Sequence, residues 1–245
     1  MPHRLIALAK RWLRCLLSKA QPSVAIAVHP FDRAHGTDTS GLLEPQHLRT
    51  GHANDAQNTA YFGVPPSRFA HAVAQWQVTE DTAPAQEYRF IDLGCGKGRA
   101  VLLASRMGFQ DVVGVELNPA LAETANRNLR HWQADGGTAP TSVLCADAPT
   151  ALGELLQGPT LLYLYNPFQA AVLEQVLAVV VNHAGSFQGH IDVLYLYPEY
   201  ETVFARFPAF QRLWHRQIPL AGEDAGDGIS AAEDPCALYR LQPGA

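Results

Sequence analysis

The sequence has little of what metal, disulfide and membrane proteins need. Its four cysteines, Cys15, Cys95, Cys145 and Cys236, are widely scattered, no C-x-x-C or H-E-x-x-H occurs, and the ten histidines form no ligand cluster. That excludes the common zinc spacings and leaves reduced thiols in a cytoplasm as the expected state. No apolar run approaches the roughly 20 residues of a membrane-spanning helix. The nearest, 170–181, is interrupted by Glu174 and Gln175 and reads as a helix packed on a sheet. No internal repeat is present. Acids are missing before Asp32, whereas Arg4, Lys10, Arg11, Arg14 and Lys19 fall in that stretch. Setting those five aside leaves 13 basic against 23 acidic residues, a net charge of −10 for the rest of the chain. So acidic a body repels phosphate backbones at long range, which disfavours a general nucleic-acid binder and leaves open only a local basic groove.

With 245 residues, 47% of them hydrophobic, the chain is long enough for a well-packed α/β domain plus an extension. The most informative stretch is Phe90-Ile91-Asp92-Leu93-Gly94-Cys95-Gly96-Lys97-Gly98-Arg99. Phe90, Ile91 and Leu93 are the apolar run of a parallel strand covered on both faces. Gly94, Gly96 and Gly98 let the backbone turn and approach a ligand where a Cβ would collide. Residues 100–104 continue as a helix whose first N–H groups face the same turn. A strand-end carboxylate before bare backbone predicts a pocket for a nucleoside cofactor. The dinucleotide fingerprint needs G-x-G-x-x-G, whereas the glycines here alternate as G-x-G-x-G, which weakens an NAD-dependent reading.

Three further strand ends carry polar groups in order. Residues 111–116 form a second buried strand ending in Glu116, with Leu117 beside it and Pro119 opening the next helix. An acid about 20 residues beyond the glycine turn is spaced to take two ribose hydroxyls. Residues 141–145 form a short strand with Asp147 just past it, and Thr160 to Tyr165 runs into Asn166-Pro167-Phe168. Taken singly these groups have ordinary readings: Asp92, Asp147 and Asn166 as helix caps and Glu116 as a solvated loop acid. Cys95 reads as a small buried residue rather than a nucleophile. Lys97 and Arg99 read as solvated side chains or partners of a ligand carboxylate. The ordered set is what single explanations fail to cover.

The glycine turn resembles motif I, D/E-x-G-x-G-x-G, of the class I S-adenosylmethionine (SAM) methyltransferases. More widely, D-R-x-H-G-x-D-T-S-G from Asp32, Y-x-x-x-P from Tyr61, D-L-G-C-G-K-G-R, G-V-E-L-N-P and L-Y-N-P-F together resemble a poorly characterised bacterial group of these enzymes, over residues 31–241. The resemblance implies a doubly wound, mostly parallel seven-stranded α/β sheet whose last strand is antiparallel, with an N-terminal helical and loop extension. It implies SAM bound by Asp92, Gly94, Cys95, Gly96, Gly98, Glu116 and Leu117, with Asp147 at the adenine amino group. It also implies that residues 29–88 close over the pocket, with Thr39, Ser40 and Tyr61 nearest the cofactor. The competing reading is turn chemistry for Thr39 and Ser40 and a packed ring for Tyr61.

The resemblance further implies that Asn166 presents a polar group to the methyl acceptor and that Phe168 flanks the methyl or stacks on the acceptor. The motif is near the N-P-P-Y/F of amino methyltransferases but has one proline, and about as near the N-N-F-x-F of a protein-lysine group. The expected reaction is methyl transfer to a nitrogen of a protein substrate. The alternatives are a small-molecule or RNA acceptor, or a non-catalytic SAM-binding module.

The expected organisation is a basic amphipathic helix over 1–22, the extension over 29–88 and the SAM-binding domain over 89–245. Leu5, Leu8, Trp12 and Leu16 recur at helical spacing with arginines on the opposite arc. Docking on the domain is the preferred role of this helix; peripheral contact with anionic lipid or a partner, and a transit peptide, are the others. Residues 31–41 are polar and turn-rich and are expected to be loop.

Overall fold

The computed structural model describes residues 28–133, 136–183, 189–222, 224 and 230–242. The basic helix expected over residues 1–22, with its lipid or partner contacts, lies outside the described residues.

Seven strands form one sheet. In chain order they are β3 (Arg89–Leu93), β4 (Asp111–Glu116), β5 (Thr141–Cys145), β6 (Thr160–Tyr165), β7 (Ile191–Leu196), β8 (Phe210–Pro219) and β9 (Glu233–Leu241). The spatial order is β5-β4-β3-β6-β7-β9-β8, parallel from β5 to β7, with β9 inserted antiparallel between β7 and β8. This is the doubly wound, mostly parallel α/β sheet expected from the sequence. The strand order reverses between β3 and β6, where crossovers leave to opposite sides and open a crevice at the carboxyl ends.

Period-2 alternation supplies both faces. Phe90, Leu161, Tyr163, Leu194 and Leu196 face one core. Ile91, Leu93, Leu162, Leu164 and Val193 face the other. Helices α2 (Pro66–Gln77), α3 (Arg99–Ser105) and α4 (Pro119–Gln133) cover the first face. Helices α5 (Ala148–Leu155) and α6 (Ala170–Asn182) cover the second. A buried ion pair joins two strands: Asp192 on β7, fully buried, receives both Nε and Nη2 of its register partner Arg240 at 2.7 and 2.9 Å, and Trp76 Nε1 at 2.8 Å.

Ahead of the sheet lie α1 (Pro30–His35) and a small antiparallel pair, β1 (Leu42–Leu43) with β2 (Tyr61–Phe62). The loop expected at residues 31–41 is thus half helix. His29 Nδ1 accepts from Phe31 N–H, Pro30 opens α1 and Gly36 ends it in the left-handed region. The polar composition serves side-chain bonding instead. Asp32, 2% exposed, accepts from the hydroxyls of Thr37, Thr39 and Ser40 and from Thr39 N–H.

Candidate active site

The glycine turn begins where β3 ends. Gly94 and Gly96 have φ of +76° and +56°, a region that disfavours side chains. A Cβ on Gly94 would strike Pro167, and one on Gly96 would strike the Tyr61 ring. Both faces of the turn are therefore filled by other segments of this chain. Gly98, φ +88°, is the N-cap residue of α3. Asp92 does not cap that helix; it is buried within β3.

Glu116, at the end of β4, is 8% exposed. One carboxylate oxygen accepts from Gly96 N–H and the other from Asn118 N–H, each at 2.8 Å. It is therefore no solvated loop acid: it ties the second strand end to the glycine turn. Burial and the Glu116 charge push the Asp92 carboxyl well above its ordinary range. Burial pushes Glu116 up as well, against the N–H groups of Asn118, Gly96 and Leu117 that hold its charge. Two buried acids on neighbouring strand ends favour a ligand bearing a cation and hydrogen-bond donors. Cys95 is buried, and burial with the charges of Asp92 and Glu116 pushes its thiol up, so it is inert as a nucleophile.

A cavity of about 900 Å3, its open mouth included, joins these groups. Asp92, Gly94, Cys95, Gly96, Glu116, Leu117, Asp147, Tyr61 and Phe168 all line it. Four expected residues do not: Gly98, Thr39, Ser40 and Asn166. Thr39 is fully buried, donating to Asp32 and accepting from Arg99 Nε at 2.6 Å, while its carbonyl accepts from Tyr61 Oη at 2.7 Å. It supports Tyr61 from behind. Arg99 is spent on the same hub and on the carbonyls of Gly63 and Val64, and Lys97 on Asp38 and the Ser40 carbonyl.

Asn166 lies between the wall residues Tyr165 and Pro167, with φ of +46°. It caps no helix, since Gln169 is the N-cap residue of α6. Its amide Nδ2 donates to Glu199 at 2.9 Å, its Oδ1 accepts from Tyr195 Oη at 3.2 Å, and its carbonyl accepts from the Thr59 hydroxyl.

The extension reaches every part of this site. Asn54 Nδ2 donates to Asp147 Oδ1 at 2.7 Å, and Asn118 Nδ2 donates to the Leu48 carbonyl at 3.2 Å. Residues 57–59 run beside 166–169, with Thr59 N–H on Pro167 O and Gln169 N–H on Gln57 O. Leu48, Asn54, Tyr163 and Tyr165 are wall residues that the sequence reading did not single out. For Leu48 and Asn54 no local signal exists. For the tyrosines the signal was their period-2 spacing before Asn166.

Residues 91–153, about a quarter of the chain, match the family described as a methyltransferase domain. No curated protein matches the chain. Among solved structures, a ribosomal protein L11 methylase from Lactobacillus delbrueckii subsp. bulgaricus is similar at 15% identity and a TM-score of 0.44, covering 71% of this chain and 78% of that one. A magnesium protoporphyrin IX methyltransferase from Synechocystis PCC 6803, with bound SAM, has 10% identity and a TM-score of 0.45, with coverages of 71% and 76%. An rRNA methylase from Streptococcus thermophilus has 11% identity and a TM-score of 0.43, with coverages of 71% and 93%. The assignment rests on the matched domain and on the site, whose paired acids and glycine turn fit a cationic nucleoside. The chain carries a methyltransferase domain over residues 91–153, and the enzyme's cofactor is S-adenosylmethionine.

Proposed function

We propose that the acceptor is a nitrogen of a protein substrate, methylated at the carboxyl end of β6. The observation that carries this reading is the Asn166 amide, pinned between Glu199 and Tyr195 and set between two cavity-wall residues. Glu199 takes the amide N–H and fixes the orientation of the amide, while Tyr195 occupies one lone pair of its oxygen and leaves the second for an amine N–H. Exposed Glu199 and the acidic body of the chain both favour a basic protein over a polyanion. The finer likeness to the bacterial group named above belongs to the same proposal.

Bound SAM supplies a methyl group on a sulfonium that leaves as a neutral thioether. The chain has to align the nucleophile, exclude water and leave the amine a free lone pair. In this reading Glu116 takes the ribose hydroxyls, Asp92 the ammonium and Asp147 the adenine amino group. Gly94, Cys95, Gly96 and Gly98 shape the turn beneath, with Leu117 and Tyr61 as walls. Thr39 acts through Tyr61. Phe168 flanks the methyl, Asn166 orients the amine, and residues 29–88 are the cover that keeps water out.

The test is transfer of labelled methyl from SAM to a lysate of cells lacking the enzyme, separated into protein, RNA and small molecules. Label in protein bands, lost with Asp92→Ala, is the expected result. Label confined to RNA or metabolites would overturn the acceptor while keeping the enzyme class. Saturable SAM binding with no label anywhere would favour a binding module.

A further inference from the structure

Tyr163 is 1% exposed, lines the cavity, and its hydroxyl has no hydrogen-bond partner among the described residues. Among the buried tyrosine hydroxyls there, only one other shares that condition, on Tyr88, which packs against Trp76 in the core and does not line the cavity. A phenylalanine at 163 would fill the same space without the cost of stripping water from a hydroxyl. Its ring is fixed edge-on to Phe69 at 5.1 Å and stacked on Phe90 at 5.7 Å, so the hydroxyl has a set direction. Asp92 is its register partner across β3 and β6, on the same sheet face by alternation.

We propose that the Tyr163 hydroxyl is a cofactor ligand, taking a second N–H of the ammonium group that Asp92 holds at the amino-acid end of SAM. The inference rests on the cofactor assignment and on the ammonium role given to Asp92. An ammonium has three N–H donors and one carboxylate leaves donors over, whereas the nucleoside end is served by Glu116 and Asp147. Burial and the nearby Asp92 charge keep the phenol protonated, so it acts as a neutral acceptor that still has a proton to give.

Calorimetric titration of the full chain with two ligands tests it. S-adenosylhomocysteine keeps the ammonium; 5′-methylthioadenosine is a related nucleoside without the amino-acid end. Tyr163→Phe is expected to weaken S-adenosylhomocysteine about tenfold, as for loss of a hydrogen bond to a charged group. It should leave 5′-methylthioadenosine unchanged and not lower the melting temperature of the free protein. Tyr88→Phe should change neither affinity. Equal loss for both ligands, no loss for either, or the same loss from Tyr88→Phe would overturn the proposal. Absence of S-adenosylhomocysteine binding to the unaltered protein would overturn the cofactor assignment itself.

Discussion

Asp92 and Glu116 bring two carboxyl groups into one buried space, and the free protein bears the electrostatic cost. Because the folded Asp92 pKa is raised, the native state holds a proton that the unfolded chain has released. The contribution to stability is therefore full below the ordinary carboxylate pKa and is lost as pH rises through the raised value. Asp92→Asn removes this dependence, so its stability relative to the unaltered protein should climb as pH rises from about 4 to 8. Urea denaturation of both forms at several pH values checks the sign, and a parallel pH dependence would sink it. At Gly96 the left-handed φ and the Tyr61 ring leave no room for a methyl group. Gly96→Ala should lower cofactor affinity by at least tenfold, because the turn or Tyr61 must move; equilibrium titration measures it. Both sites were legible, since a strand-end acid and alternating glycines are local patterns. Thr39 was expected at the cofactor, and geometry sets it one layer back. The Tyr163 hydroxyl was hidden because a tyrosine inside an apolar run reads as core.

Among the elements, α1 is where composition and structure part. Residues 31–41 carry the residues of a loop, yet Pro30 and Gly36 frame one helical turn and a half, and the hydroxyls converge on Asp32. Side-chain bonding to a carboxylate needs the same polar residues that turns use, so composition cannot separate the two. The Asp32 hub reaches α3 through Thr39, which accepts from Arg99, and Arg99 Nη2 lies 3.6 Å from Asp32 Oδ2. Asp32→Ala leaves that guanidinium buried and under-paired, at a cost of about 3–5 kcal/mol. A drop of that size in denaturation free energy, with faster proteolysis in residues 44–60, is the expected outcome. A loss under about 1 kcal/mol, the level of an exposed pair, would show that the hub does not hold the extension.

For the molecule as a whole, the sheet was the most legible feature, because each β–α alternation is written in local periodicity and the crossover rule limits the strand order. Its fastening was not legible. Asp192 and Arg240 are 48 positions apart and meet only because β9 inserts beside β7. Asp192→Ala should cost about 3–5 kcal/mol by stranding a buried arginine. The loss is expected to appear as lower global stability with the cofactor affinity of the remaining folded protein unchanged. The extension's grip on the site was likewise invisible, since Asn54 and Asp147 are 93 positions apart.

We place S-adenosylmethionine at the carboxyl ends of β3, β4 and β5. Titration of the purified chain with SAM, alone and in competition with NAD, tests it most directly, using Glu116→Ala as the control. Saturable SAM binding is expected, with no displacement by NAD and roughly hundredfold weaker binding once the charged ribose contacts are removed. Displacement by NAD, or unchanged SAM affinity in Glu116→Ala, would contradict it.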